Sequence, residues 1–122
     1  MSRRPTADEC RIEDVVKMIG GKWKLLILRH LIYGGTTRFN ELHRAIAGIT
    51  QTMLTKQLRE LARDGMVDRR AYAEVPPRVE YSATAEARDL DDFFQAMHHW
   101  GSRNLAIDGR RSVGVATGRN FC

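Results

Sequence analysis

Ile12, Val15, Val16 and Ile19 recur at helical spacing and predict a first helix of about two turns, ended by Gly20-Gly21. Over residues 22–33, Trp23, Leu25, Leu26, Ile27, Leu28, Leu31 and Ile32 point in nearly every direction around the helical wheel. A helix apolar all round lies at the centre of a core. Gly34-Gly35 breaks the chain, Thr36-Thr37-Arg38 reads as a short strand, and Phe39, Leu42, Ala45 and Ile46 open a third helix with Asn40 or a neighbour as its cap. Ala47-Gly48-Ile49 makes a tight joint of the kind that links two helices. The next helix runs over 50–64, with Leu54, Leu58 and Leu61 on one side and Thr52, Thr55, Lys56, Arg59 and Arg63 on the other, and Gly65 stops it. Two strands follow near 66–73 and 78–84, joined by Glu74-Val75-Pro76-Pro77, whose prolines exclude the tip from a sheet. Thr84 caps one long last helix. Its apolar stripe is Leu90, Phe93, Phe94, Met97, Trp100, Gly101 and Leu105, opposite Arg88, Asp92, Gln95, His99 and Ser102.

The order helix, helix, strand, helix, helix, hairpin, helix predicts a mainly α fold with a small β-hairpin wing: a winged helix-turn-helix flanked by N- and C-terminal dimerisation helices. With 122 residues the chain fits one domain, placed at 10–107 between a flexible N-terminus at 1–9 and a flexible tail at 108–122. A core this small makes dimerisation a natural supplement. Val15, Val16 and Ile19 of the first helix, with Leu90, Phe93, Phe94, Met97 and Trp100 of the last, are the expected two-fold interface.

Charge narrows the function. Twenty Lys and Arg against fifteen Asp and Glu leave +5, which favours a polyanionic partner. Over residues 50–80, however, six basic side chains face five acidic ones, so segregation of charge by face has to carry the case. The leucine side of the fourth helix anchors it. Gln51, Thr52, Thr55, Lys56 and Arg59 are then left to enter a major groove, and the helix N-terminus at Thr50 suits a phosphate oxygen. The competing readings are a merely solvated face and a protein-interaction module built on the aromatic stripe. The longest apolar run, Leu25 to Leu28, is too short for a membrane span, and the basic N-terminus lacks the apolar stretch of a secretion signal. A cytoplasmic protein is expected. Cys10 and Cys122 form neither a disulfide framework nor a zinc spacing, and neighbouring His98 and His99 cannot both face one metal from a straight helix. Without a phosphate loop, nucleophile elbow or recognisable carboxylate pair, no catalytic residue, metal or cofactor is expected.

Cys10, Gly20-Gly21-Lys22-Trp23-Lys24, Arg38-Phe39-Asn40-Glu41-Leu42, Gly48-Ile49-Thr50, Leu54-Thr55, Leu58-Arg59-Glu60-Leu61, Asp64-Gly65, Pro76-Pro77-Arg78-Val79-Glu80-Tyr81 and Trp100-Gly101 occur in that order. Over about residues 10–105 the chain thus resembles the HxlR-type transcriptional regulators, a branch of the MarR-like winged-helix proteins. The resemblance implies a homodimer on an inverted-repeat operator in double-stranded DNA, with 50–64 as recognition helix, 71–81 as wing and Arg78 as wing-tip arginine. It also implies Arg38 as a phosphate contact, and Lys22 and Lys24, which match the basic residues flanking the family's tryptophan, as DNA contacts. Where the family has Leu and Gly after the wing, this chain has Ala83 and Ala87. In some members a cysteine before the first helix senses oxidants or electrophiles, which makes Cys10 the implied sensor and leaves Cys122 a tail thiol. The effector, target genes and sign of regulation are not legible in the residues.

Overall fold

The computed structural model describes Thr6 and residues 10–105; the remainder of the expected flexible ends, with Cys122, lies outside the described residues. The chain runs α1 (Ile12–Ile19), α2 (Lys22–Gly34), β1 (Thr37–Arg38), α3 (Phe39–Ala45), α4 (Gln51–Arg63), β2 (Val67–Tyr72), β3 (Arg78–Ala83), α5 (Ala85–Arg88) and α6 (Asp91–Asn104). α2 is the central helix that its all-round apolar pattern requires: Ile27, Leu28 and Leu31 are fully buried, packed with Leu42 of α3 and Leu54, Leu58 and Leu61 of α4. The sheet closes the other side of this core. Its order is β1-β3-β2, antiparallel throughout, with Thr37 opposite Tyr81 and Arg38 opposite Glu80 on one side of β3, and Val67 opposite Ala83 through Tyr72 opposite Arg78 on the other.

Local chemistry sets the element ends. The Thr50 hydroxyl accepts the Met53 N–H at 3.0 Å and so caps α4, removing one of the unpaired donors of its first turn. Gly48 has φ 85°, the left-handed conformation that lets α3 turn into α4 within a few residues. The N-cap position of α3 is Arg38, a neighbour of Asn40, and its N–H donates to Glu41 Oε1 at 3.1 Å. Thr84 begins a helix as expected, accepting from the Ala87 N–H at 3.2 Å and donating to the Gly65 carbonyl at 2.8 Å.

The single long last helix is a correction. α5 stops at Arg88, the Leu90 N–H bonds tightly back to the Ala87 carbonyl at 2.9 Å, and α6 starts afresh at Asp91. Asp91 and Asp92 fill the new first turn, where the helix dipole favours carboxylates, and Asp91 accepts a hydrogen bond from the Tyr33 hydroxyl of α2. No helix among the described residues is long and apolar enough to cross a membrane.

Candidate nucleic-acid interface

α4 divides sharply by face. Leu54, Leu58 and Leu61 hold it on the core, and Gln51, Thr52, Thr55, Lys56 and Arg59 are exposed on the opposite side. The side chain of Thr50 is engaged as the cap, so its contribution to a ligand is to orient the first-turn amides. The Lys56 ammonium lies 3.0 Å from Glu60 Oε2, one turn on, and the other oxygen of Glu60 lies 2.7 Å from the ammonium of Lys24 on α2. These two bonds outweigh the cost of partial burial and pull the Glu60 carboxyl down to about 2.

That arrangement corrects the expectation for Lys24. The residue is only 8% exposed, on the same side of α2 as Ile27, Leu28 and Leu31, and its ammonium is engaged by Glu60 instead of lying free at the surface. Lys22 is exposed, with its ammonium 4.4 Å from the centre of the Trp23 ring. Arg38 is exposed at the end of β1.

The wing differs from its expectation too. Arg78 is not a free fingertip: its guanidinium donates to Glu74 at 2.8 Å and to Glu80 at 3.0 Å and lies 3.8 Å over the Tyr72 ring, with Nε buried and unpartnered. The exposed tip is Val75-Pro76-Pro77. Strand alternation puts Arg69 on the same face as Val67, Val79 and Tyr81, towards α4. There it lines, with Arg59, a cleft of about 540 Å³ floored by Phe39, Leu58, Val79 and Tyr81. Among the described residues neither Arg59 nor Arg69 has an ion-pair partner. Arg69 was not among the expected contacts; the period-two step from buried Val67 is the signal that identifies its side.

Cys10 is half-buried just before α1, and its N–H donates to the Thr6 carbonyl at 3.0 Å. It rims an apolar groove of about 470 Å³ formed with Ile12, Val15, Val16, Ile19, Leu25 and Phe93. Val15, Val16, Phe93, Met97 and Trp100 are exposed as an interface requires, joined by Ile12 and Leu105 of the same apolar patterns. Ile19 and Phe94, by contrast, are buried inside the protomer, and Leu90 packs half-buried against the same core. No group of three His, Cys, Asp or Glu among the described residues is placed to hold a metal ion.

The comparisons with known proteins agree with this architecture. The family model described as HxlR-like helix-turn-helix matches residues 18–108. YybR of Bacillus subtilis, an uncharacterised HTH-type transcriptional regulator, is 45% identical over 112 residues, covering 91% of this chain and 89% of its own. Among solved structures, the redox regulator HypR in its oxidised form superposes with a TM-score of 0.72 at 47% identity, covering 80% of this chain and 100% of that one. The reduced form of the transcriptional regulator YodB from Bacillus subtilis gives 0.70 at 32% identity, covering 78% and 92%. With the family model matched from the end of α1 to beyond α6 on a winged helix-turn-helix frame, the chain belongs to the HxlR-like helix-turn-helix family of transcriptional regulators.

Proposed function

We propose that the protein is a sequence-specific regulator that binds double-stranded DNA as a homodimer on an inverted-repeat operator and answers to oxidants or electrophiles through Cys10. The observation that carries the DNA reading is the exposed polar and basic face of α4 beside a cleft rimmed by Arg59 and Arg69. Gln51, Thr52 and Thr55 read base edges; Lys22, Arg38, Lys56 and Arg59 neutralise phosphates; Arg78 stiffens the wing that carries Arg69 to the backbone. A second copy covers the exposed apolar face of α1 and α6, setting two recognition helices about 34 Å apart on successive major grooves. Residues 10–107 form the working unit, which acts in the cytoplasm. This self-association accounts for the aromatic stripe, the feature on which a protein-interaction module would rest.

The redox reading is supported by the position of Cys10 at the groove between α1 and Phe93, and by the names of HypR and YodB as redox and transcriptional regulators. An adduct on the thiol adds bulk where the two flanking helices meet and displaces them. Selection of bound fragments from random duplexes, followed by affinity measurements across a salt series, tests the DNA reading. A palindromic consensus and a steep fall of affinity with salt are expected. Binding without sequence preference, or without salt dependence, refutes it. Changing Gln51 or Thr52 to Ala should relax the consensus at particular positions, whereas Arg38→Met should weaken all sequences and lower the salt slope by about one.

A further inference from the structure

Glu60 presents an anomaly for a DNA-binding helix, because a carboxylate on the recognition helix beside a phosphate-contacting lysine repels the polyanion and competes with it for that lysine. The two oxygens of this carboxylate are held by different cations from different sides. Lys24 reaches one from within the core, its side chain 9% exposed, and Lys56 reaches the other from the solvent side, its side chain 60% exposed. The pair of ammoniums against one carboxylate leaves the cluster with a net positive charge at the surface; without Lys24 it would be neutral.

We propose that Lys24 is a positioning residue for DNA binding: by holding Glu60 from behind, it lets Lys56 leave that carboxylate for a phosphate while Glu60 keeps a countercharge. This rests on the assignment of α4 as the recognition helix. Exchange of partners at Lys56 breaks one ammonium–carboxylate contact and forms one ammonium–phosphate contact, and the shorter bond, to Lys24, persists throughout. Were Lys24 uncharged, the departure of Lys56 would strand a half-buried carboxylate facing the duplex, and Lys56 would stay where it is. The depressed pKa of Glu60 agrees with a group that remains ionised through this exchange.

The experiment measures operator affinity against salt concentration for the full chain and for variants whose folding is verified by circular dichroism and melting. Lys56→Met should lower the salt slope by about 0.9, the value of one phosphate contact. Lys24→Gln, which keeps a hydrogen-bond donor and removes the charge, should lower it by the same amount although the residue touches no DNA. Lys24→Gln combined with Glu60→Gln frees Lys56 of any carboxylate and should restore the wild-type slope, a rescue that a role in packing alone would not produce. Lys24→Arg, which keeps the charge, should retain the wild-type slope even where melting falls. A wild-type slope in Lys24→Gln or in Lys56→Met, a failure of the double variant to recover, or a loss in Lys24→Arg equal to that in Lys24→Gln overturns the proposal while leaving DNA binding intact. A wild-type protein whose operator binding ignores salt overturns the recognition-helix assignment itself, and this inference with it.

Discussion

Replacing Thr50 by Ala removes the one side-chain bond that closes the start of α4, the 3.0 Å contact to the Met53 N–H. Loss of a threonine cap costs about 1 kcal/mol, and because Thr50 is exposed, water takes over part of that bond and holds the loss near this middle figure. For a domain of about a hundred residues this lowers the melting temperature by roughly 5 °C. The effect on DNA is larger than the effect on the fold, since Gln51 and Thr52 lie in the turn that frays and an added 1 kcal/mol shifts the local equilibrium about fivefold. Thr50→Ser keeps the hydroxyl and should behave as wild type in both assays. Thr50→Asp separates the two roles: it caps as well as Thr or better, so melting is retained, but its charge beside a phosphate weakens operator binding. Differential scanning fluorimetry at fixed protein concentration, paired with fluorescence anisotropy on a labelled operator, reads both quantities. If Thr50→Ala melts within 1 °C of wild type, on the roughly 5 °C scale expected for a lost cap, or if Thr50→Ser loses as much as Thr50→Ala, the capping argument is wrong.

Changing Phe93 and Met97 together to Glu should convert the protein to a monomer at micromolar concentration by sedimentation, because both side chains are exposed on the apolar face of α6 while buried Phe94 still holds that helix to the core; an unchanged dimer would place the interface elsewhere. Glu60 sets an acid limit: its carboxyl has a lower pKa folded than the ordinary 4.5, so its bonds stabilise the fold fully above 4.5 and are lost as pH falls towards about 2. Denaturant titrations should therefore show a smaller loss of stability between those pH values in the Lys24→Gln, Glu60→Gln double variant than in wild type, and equal losses would contradict the ion pair. Diamide or a quinone should weaken operator binding by wild type and leave Cys10→Ser unaffected, with Cys122→Ser responding as wild type does; the reverse pattern would return Cys10 to a packing role.

The helix-turn-helix is legible because its signals are local: leucines at 54, 58 and 61, a capping threonine at 50, and glycines at 48 and 65 with positive φ. The wing is legible from its two prolines. What escapes the sequence is set by contacts between distant residues. Ala87, Leu90 and Phe94 continue one helical period without interruption, so nothing in their spacing announces the break at Asp89-Leu90, where Asp91 is held by Tyr33 from 58 residues away. Lys24 is instructive in the other direction. It precedes Ile27, Leu28 and Leu31 by three, four and seven positions, which puts it on the buried side of a helix already read as central, so its burial was available from the wheel. Its neighbourhood with Lys22 and Trp23 pointed the other way. The clamp on Arg78 comes from Glu74 and Glu80 four residues before and two after, a flanking pattern that only the hairpin turns into a cage.

The pairing of β1 with β3 also bears on the order of assembly. Within the hairpin, Tyr72 and Arg78 are six residues apart, so β2 and β3 can zip together early and locally, whereas Thr37 meets Tyr81 only after the chain has closed a loop of more than forty residues. Everything in α3 and α4 lies inside that loop. The cost of closing it grows only slowly with its length, but two residue pairs alone offset little of it, so the docking of β1 is expected to follow collapse of the helices onto α2. The two-residue strand is thus expected to act as a late latch, the wing settling against α4 after the core beneath both has formed, and a core variant such as Leu58→Ala should slow wing docking in refolding kinetics as well as loosen the helix.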